Sequence, residues 1–297
     1  MEHFFIDENV EILEGEEAAR ALARHNDSAF FVQGQGVPRV TEDRWCNAQA
    51  AEKRHWLELG VAADDDRNYQ HLKAFQGYRV LRDREFKRAI ELGCGPFTNL
   101  RIIGDICRVT SCDLLDPLIR EYIGHPNCSY RNGHIRVENT SWPRFSRLVR
   151  TGVRRLTTHG GKPIAWPLRH RPTIPVARIM PIPIEKLVSG PQYDLVTMIN
   201  VVEHCYDIDL VLRNVAAATA PDGILIFHDK YYSALMTEQR VASQYDAAHP
   251  LRVDRSLIDG FLSQNYSSLF HRVVPVAKEF MGCDVSSDHF YFIGRRL

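Results

Sequence analysis

No run of about 18 apolar residues occurs in the chain, so no segment is expected to cross a bilayer as a helix. Net charge is absent too: 37 basic residues balance 37 acidic ones, leaving no global field to draw the protein toward nucleic acid or a membrane surface. No nucleic-acid partner is therefore expected. The seven cysteines (Cys46, Cys94, Cys107, Cys112, Cys128, Cys205, Cys283) contain no CxxC pair, and their odd number and scatter argue against a disulfide framework or a cysteine-based zinc site. Reduced thiols in a cytoplasmic protein are the expectation. The N-terminal stretch Met1–Glu8 is acidic and lacks the basic-then-apolar order of a signal peptide. Internal repeats and low-complexity tracts are also missing. A hydrophobic share of 44% with 25% charged residues is that of an ordinary globule.

The most informative stretch that is present is Ala89-Ile90-Glu91-Leu92-Gly93-Cys94-Gly95-Pro96. An apolar run ends in an acid and a Gly-x-Gly turn, where missing Cβ atoms allow positive φ and close approach of a ligand to the backbone. In Rossmann-like sheets this turn closes the first strand and receives nucleotide-type cofactors. Asp113 lies about 20 residues on, a spacing suited to a ribose diol. Thr98 stands where a dinucleotide fingerprint has its third glycine, and Pro96 and Phe97 suit a pyrophosphate turn poorly. This argues for a nucleoside cofactor without a diphosphate, and against a nicotinamide dehydrogenase.

From Lys87 onward strand and helix patterns alternate, as in a parallel α/β sheet. Strands are predicted at 88–92, 108–113, 193–199, 223–228, 268–276 and 289–294. Taken in order, Glu91-Leu92-Gly93-Cys94-Gly95, the acid ending Thr110-Ser111-Cys112-Asp113, the run Tyr193–His204 and the Pro221-Asp222-Gly223 turn resemble the motifs of class I S-adenosylmethionine-dependent methyltransferases. The resemblance covers roughly 70–297. It implies a Rossmann-like, seven-stranded, mostly parallel sheet with helices on both faces and an antiparallel closing hairpin. It also implies S-adenosyl-L-methionine as cofactor. Gly93, Cys94 and Gly95 would pass beneath its methionine portion, with Glu91 near its amine. Asp113 would accept both ribose hydroxyls, and Leu114 would flank the adenine. Pro183-Ile184-Glu185-Lys186-Leu187 resembles the third motif, whose backbone, around Glu185, contacts the adenine amine. Asn200 matches a position whose backbone touches the methionine moiety.

Three parts are expected: an N-terminal extension (1–40), a helical cap (41–85) and the methyltransferase domain (86–297) with a basic insertion at about 131–180. In the extension, a helix-like piece over Gly15–His25 and a strand at Phe30-Phe31-Val32 read as an edge hairpin or oligomer contact. In the cap, Thr41 reads as an N-cap with Glu42 and Asp43 in the first turn. Trp45, Gln49, Glu52 and Trp56 share one helical face, which serves either to anchor the helix in the core or to cover the cofactor and acceptor. A second helix is predicted over 69–81, with Leu72, Phe75 and Tyr78 as its apolar side. Between Ser141 and Met180 stand nine basic residues and no acid: Arg144, Arg147, Arg150, Arg154, Arg155, Lys162, Arg169, Arg171 and Arg178. Such a patch attracts anions. A lid over an anionic acceptor, a subunit contact in a homo-oligomer and a membrane-surface helix all remain open.

On the acceptor side, Asn200-Val201-Val202-Glu203-His204 stands where N-methyltransferases of nucleobases and amides carry [DNS]-PP-[YFW], so that chemistry is disfavoured. The Val-Glu-His ending resembles small-molecule O- and C-methyltransferases of the ubiquinone-biosynthesis type. His204, His228 and Asp229 are the candidate catalytic groups, since an imidazole titrates near working pH and a hydroxyl nucleophile needs a base. His228 and Asp229, adjacent on a strand, point to opposite faces unless the strand has ended. His249 and the Asp288-His289 pair are further candidates. A divalent cation such as magnesium is left open. The expected activity is O-methylation of a polar small molecule or a sugar or glycan in a biosynthetic pathway. The alternative is a non-catalytic scaffold that binds a partner or anion through the basic insertion.

Overall fold

The apolar run ending at Gly93 forms β1 (Glu85–Leu92), whose last four residues are all buried. That continuous burial marks a central strand covered on both faces. The computed structural model describes residues 4–5, 12–13, 39–60, 67–138, 140, 172–188, 190, 192–231, 248–251, 253, 255–276, 279–280, 283–284 and 287–297. The main sheet also contains β2 (Arg108–Leu115), β3 (His134–Arg136), β4 (Thr173–Met180), β5 (Tyr193–Ile199), β6 (Thr219–Tyr231), β7 (Tyr266–Val276) and β8 (Ser287–Arg296). Their spatial order is β3-β4-β2-β1-β5-β6-β8-β7. Neighbours from β4 through β6 are parallel. The β7–β8 pair and its junction with β6 are antiparallel, as expected for the closing hairpin.

The sheet has eight strands, not the expected seven. The additional strand is β3, antiparallel to β4 at the sheet edge. β5 matches its predicted span, and the other predicted strands are longer than expected. β2 runs to Leu115, because its partner Leu92 on β1 is still within the ladder, and β6 covers 219–231.

Alternation along the strands divides the core. Val196 and Met198 on β5 pack with α5 (Ile208–Ala218) and α6 (Arg255–Asn265), whereas Leu195 and Ile199 face the layer that holds α3 (Leu100–Ile103) and α4 (Ile119–Ile123). Each large apolar side chain so buried contributes about 1.5–3 kcal/mol.

The two N-terminal helices are α1 (Glu42–Arg54), continued by a π-helical segment to Gly60, and α2 (Arg67–Ala74). Thr41 Oγ1 accepts from Arg44 N at 3.2 Å, the cap its sequence promised. The helix predicted over 69–81 ends at Ala74. Gln76, Gly77 and Tyr78 take positive φ, and the turn they form drives Tyr78 into the core, stacked on Phe75 at 4.8 Å. In the extension, Phe4–Phe5 and Ile12–Leu13 form a separate two-stranded pair. The helix and strand expected at 15–32 lie outside the described residues, and so does the insertion segment 141–171 with eight of the patch's nine basic residues, Arg178 being the ninth. Among the described residues no helix is long and apolar enough to cross a membrane.

Candidate functional site

The carboxyl ends of β1, β2, β5 and β6 open into one cleft of about 450 Å³, roofed by α1 and α2. Its floor is the turn after β1. Gly93 (φ 65°) and Gly95 (φ 52°) both occupy the left-handed region, which other residues enter only with strain. A Cβ on Gly93 would lie 2.6 Å from Val201 Cγ1, whereas one on Gly95 would meet only Trp56, at 4.0 Å. The first glycine is thus required by packing beneath the turn, and the second leaves backbone open to the cleft. Cys94 also lines the cleft. Its Sγ donates to the Tyr130 hydroxyl, which donates to Gly95 O, and burial pushes its thiol well up.

Glu91 does not line the cleft. It is 1% exposed, and its carboxylate accepts from the Thr98 hydroxyl, Asn99 N at 2.9 Å, Asn99 Nδ2 and Leu100 N. Burial raises its pKa against the pull of those bonds. Its place is to hold the turn, not to reach toward a ligand amine.

Asp113 and Leu114 are not at the cleft either, which corrects their expected placement. β2 continues past them, and both are buried in the sheet. Asp113 Oδ2 accepts from Arg178 Nε and Nη2 at 2.9 and 2.7 Å and from the Tyr193 hydroxyl at 2.7 Å. Arg178, counted in the basic patch, is accordingly paired. The acid that reaches the cleft is Asp116, the first residue after the strand. Asp116 Oδ2 accepts from Gly95 N at 3.0 Å and Oδ1 from Leu118 N at 2.8 Å. Its pKa is raised to about 6 by burial, only partly offset by these two amides. The missed signal was the second acid in Asp113-Leu114-Leu115-Asp116-Pro117, where proline marks the strand end better than the first acid does.

Glu185 and Asn200 are both at the cleft. Glu185 Oε1 accepts from Tyr206 N and Asp207 N, while Oε2 is buried without a hydrogen-bond partner. Asn200 has φ 58° and donates its N–H to His228 O at 2.7 Å.

Of the adjacent pair on β6, His228 faces the cleft and Asp229 faces away, as strand alternation requires. Asp229 accepts from Val201 N, Val202 N and Lys230 N. It therefore fixes the turn after β5, a correction to its candidacy as a catalytic group. Burial raises its pKa to about 6. His228 Nδ1 is 2.9 Å from Phe290 O. A carbonyl only accepts, so Nδ1 carries the proton and Nε2 is the acceptor. The ring stacks on Tyr291 at 4.1 Å, with the His71 and His289 rings at 5.2 and 5.3 Å. Burial, followed by the neighbouring His71, lowers its pKa well below the usual value. His204 also lines the cleft, beside Glu52 and His249. Glu203 does not line it and is ion-paired to Lys230.

The cap is joined to this floor. Trp45, Gln49, Glu52 and Trp56, the face read from the sequence, all line the cleft. Asn68 Nδ2 donates to Phe97 O and Thr98 O, and His71 pairs with Asn99.

A family model described as a methyltransferase domain matches residues 61–272. The chain belongs to that family. No curated protein matches the sequence. Solved structures similar to this methyltransferase include the N-methyltransferase NodS from Bradyrhizobium japonicum WM9 in complex with S-adenosyl-L-homocysteine. That pair shares 13% identity over 84% of this chain and 98% of that one, with a TM-score of 0.46. YcgJ from Bacillus subtilis is 11% identical over 76% and 98% of the two chains, with a TM-score of 0.45. The PH0226 protein from Pyrococcus horikoshii OT3 is 9% identical over 82% and 99%, with a TM-score of 0.46.

Proposed function

We propose that this methyltransferase uses S-adenosyl-L-methionine to methylate an oxygen of a polar small molecule, sugar or glycan in a biosynthetic pathway. The observation that carries the reading is the Asp116 carboxylate bonded across the cleft floor to Gly95 N, in the same cleft as His228. The residues present fit the cofactor. Gly95 leaves exposed backbone that a Cβ would cover. The Asp116 oxygens, each taking one amide, retain lone pairs for a diol. Glu185 Oε2 is an unsatisfied buried acceptor on the cleft wall, suited to an N–H donor. Gly93, Gly95 and Asn200 would hold the methionine portion, Asp116 the ribose, and Pro183 to Glu185 the adenine.

The bound cofactor supplies an electrophilic methyl group on a sulfonium. The chain's own part is to align an acceptor hydroxyl and manage its proton. Alignment inside a closed cleft is largely a proximity effect. His228 Nε2, neutral at working pH, accepts the hydroxyl hydrogen bond. The burial that keeps it neutral also disfavours its imidazolium, so the partly exposed His71 and His289 rings beside it offer the proton a way to solvent. The cap over 41–85 shields the reaction from water. An oxygen acceptor is favoured by Asn200-Val201-Val202 standing where an N-methyl motif would be.

The test is calorimetry with S-adenosyl-L-homocysteine, followed by labelled-methyl transfer into the polar metabolites and glycans of a cell extract. One site per chain and an alkali-stable labelled ether are expected. Absence of binding overturns the reading, and label on nitrogen overturns its oxygen specificity.

A further inference from the structure

Glu52, His204 and His249 come from three separated parts of the chain: the cap helix α1, the single turn after β5 and the segment before α6. One ligand atom from each lies within 4.8 Å of the other two. All three residues are partly exposed and line the cleft. We propose that they form a binding site for a divalent first-row transition-metal ion of the zinc class, with an open coordination position facing the cleft.

The surroundings hold these donors in place independently of any metal. His204 O accepts from Trp45 Nε1 at 3.1 Å and Gln49 Nε2 at 3.4 Å, which fixes the turn against the helix that carries Glu52. Leu251 N donates to Glu203 O at 3.2 Å, which fixes the His249 segment to the same turn. His204 Nδ1 donates to Ala248 O at 3.1 Å. With Nδ1 donating to that carbonyl, Nε2 would be the nitrogen offered to the metal, the outer-shell arrangement typical of ligating histidines. Glu52 Oε1 stands 3.5 Å from Nδ1 of the same ring, and the three donor residues still bring one ligand atom each within 4.8 Å. Two imidazoles and one carboxylate match three-ligand sites that keep a fourth position open. The set is too rich in nitrogen for magnesium or calcium, which take oxygen ligands, so the magnesium left open by the sequence is replaced by a softer ion.

Joined to the proposed methyl transfer, on which this part rests, the open position would take the acceptor oxygen. The metal–oxygen bond forms, the O–H bond breaks, and the proton passes to solvent. Metal ions lower the pKa of bound hydroxyls in this way. A Lewis acid at the acceptor would relieve buried His228 of carrying the charge.

The experiment uses the metal alone. Cobalt(II) is titrated into the full chain stripped with chelator, followed by visible absorption, and zinc is titrated by calorimetry. One ion per chain is expected, with ligand-field bands and no thiolate charge-transfer band. Glu52→Gln, His204→Asn and His249→Gln should each weaken binding by more than about 100-fold, beyond the effect of an outer-shell change. His204→Asn keeps a donor for Ala248 O. Circular dichroism and S-adenosyl-L-homocysteine binding confirm that each variant is folded. Thiolate bands, or wild-type affinity in the Glu52 and His249 variants, overturn the site. Loss of homocysteine-analogue binding with intact metal binding would instead overturn the cofactor reading and leave the metal site standing.

Discussion

The two ends of the cleft use polar side chains differently. At the β1–β2 end, acids satisfy backbone: Glu91 takes the amides of Asn99 and Leu100, and Asp116 those of Gly95 and Leu118. At the β6–β8 end, imidazoles gather, with His71 and His289 in ring contact with His228; a second imidazole pair, His204 and His249, follows β5. The first end is a rigid cradle whose geometry is written into turns. The second is an assembly of side chains from distant elements, suited to an acceptor whose identity the cradle does not constrain. Each end also has a decoy. Asp113 and Asp229 are carboxylates close in sequence to the cleft, and both are bound into the sheet or its turns.

The largest effect expected from breaking this comparison is at Asp116. Asp116→Ala removes the two charge-assisted acceptors proposed for the ribose, each worth about 1.5–3 kcal/mol. Calorimetry should show S-adenosyl-L-homocysteine affinity falling by about 10²–10⁴-fold. Asp113→Ala should leave affinity within about threefold of wild type and lower the melting temperature instead, because it strands the buried Tyr193 hydroxyl beside Arg178. Equal losses in the two variants would return the ribose to Asp113.

The next effect separates the imidazole end. His228→Ala should reduce kcat by about 10²–10⁴-fold with cofactor-analogue affinity unchanged. Asp229→Asn should mainly lower stability, since it weakens the hold on Val201 N and Val202 N. A stable Asp229 variant with lost turnover would reverse their roles.

The smallest effect is on pH. The Asp116 carboxyl, pushed up to about 6 by burial, accepts a diol best when ionised. Affinity should be flat above about pH 6 and fall by up to tenfold per unit below it, and Asp116→Asn should abolish the slope. The sign for folding is opposite. A raised carboxyl pKa means the native state holds its proton more tightly, so this group's contribution to stability is greatest at acid pH and is lost as pH rises from 3.8 through about 6. His228, whose pKa is lowered from 6.5, destabilises the fold as pH falls below that value. The affinity series must therefore be checked by circular dichroism.

The sequence by itself determined the strand positions at the cofactor end, the Gly93–Gly95 turn and the shared face of Trp45, Gln49, Glu52 and Trp56 on α1. These are local: backbone conformation needs glycine at positive φ, and a helical face follows from a period of 3.6 residues. The opposite facing of His228 and Asp229 followed equally from a period of two. Only the tertiary structure decided which acid reaches the cleft. The length of β2 is set by its pairing with β1, and its extension to Leu115 carried Asp113 into the sheet and delivered Asp116. Packing around Tyr78 likewise ended the second cap helix early, and the β3 edge strand exists through pairing with β4. The meeting of Glu52, His204 and His249 depends on three loops and helices converging, and no spacing within the chain encodes a distance between residues about 150 and 200 positions apart.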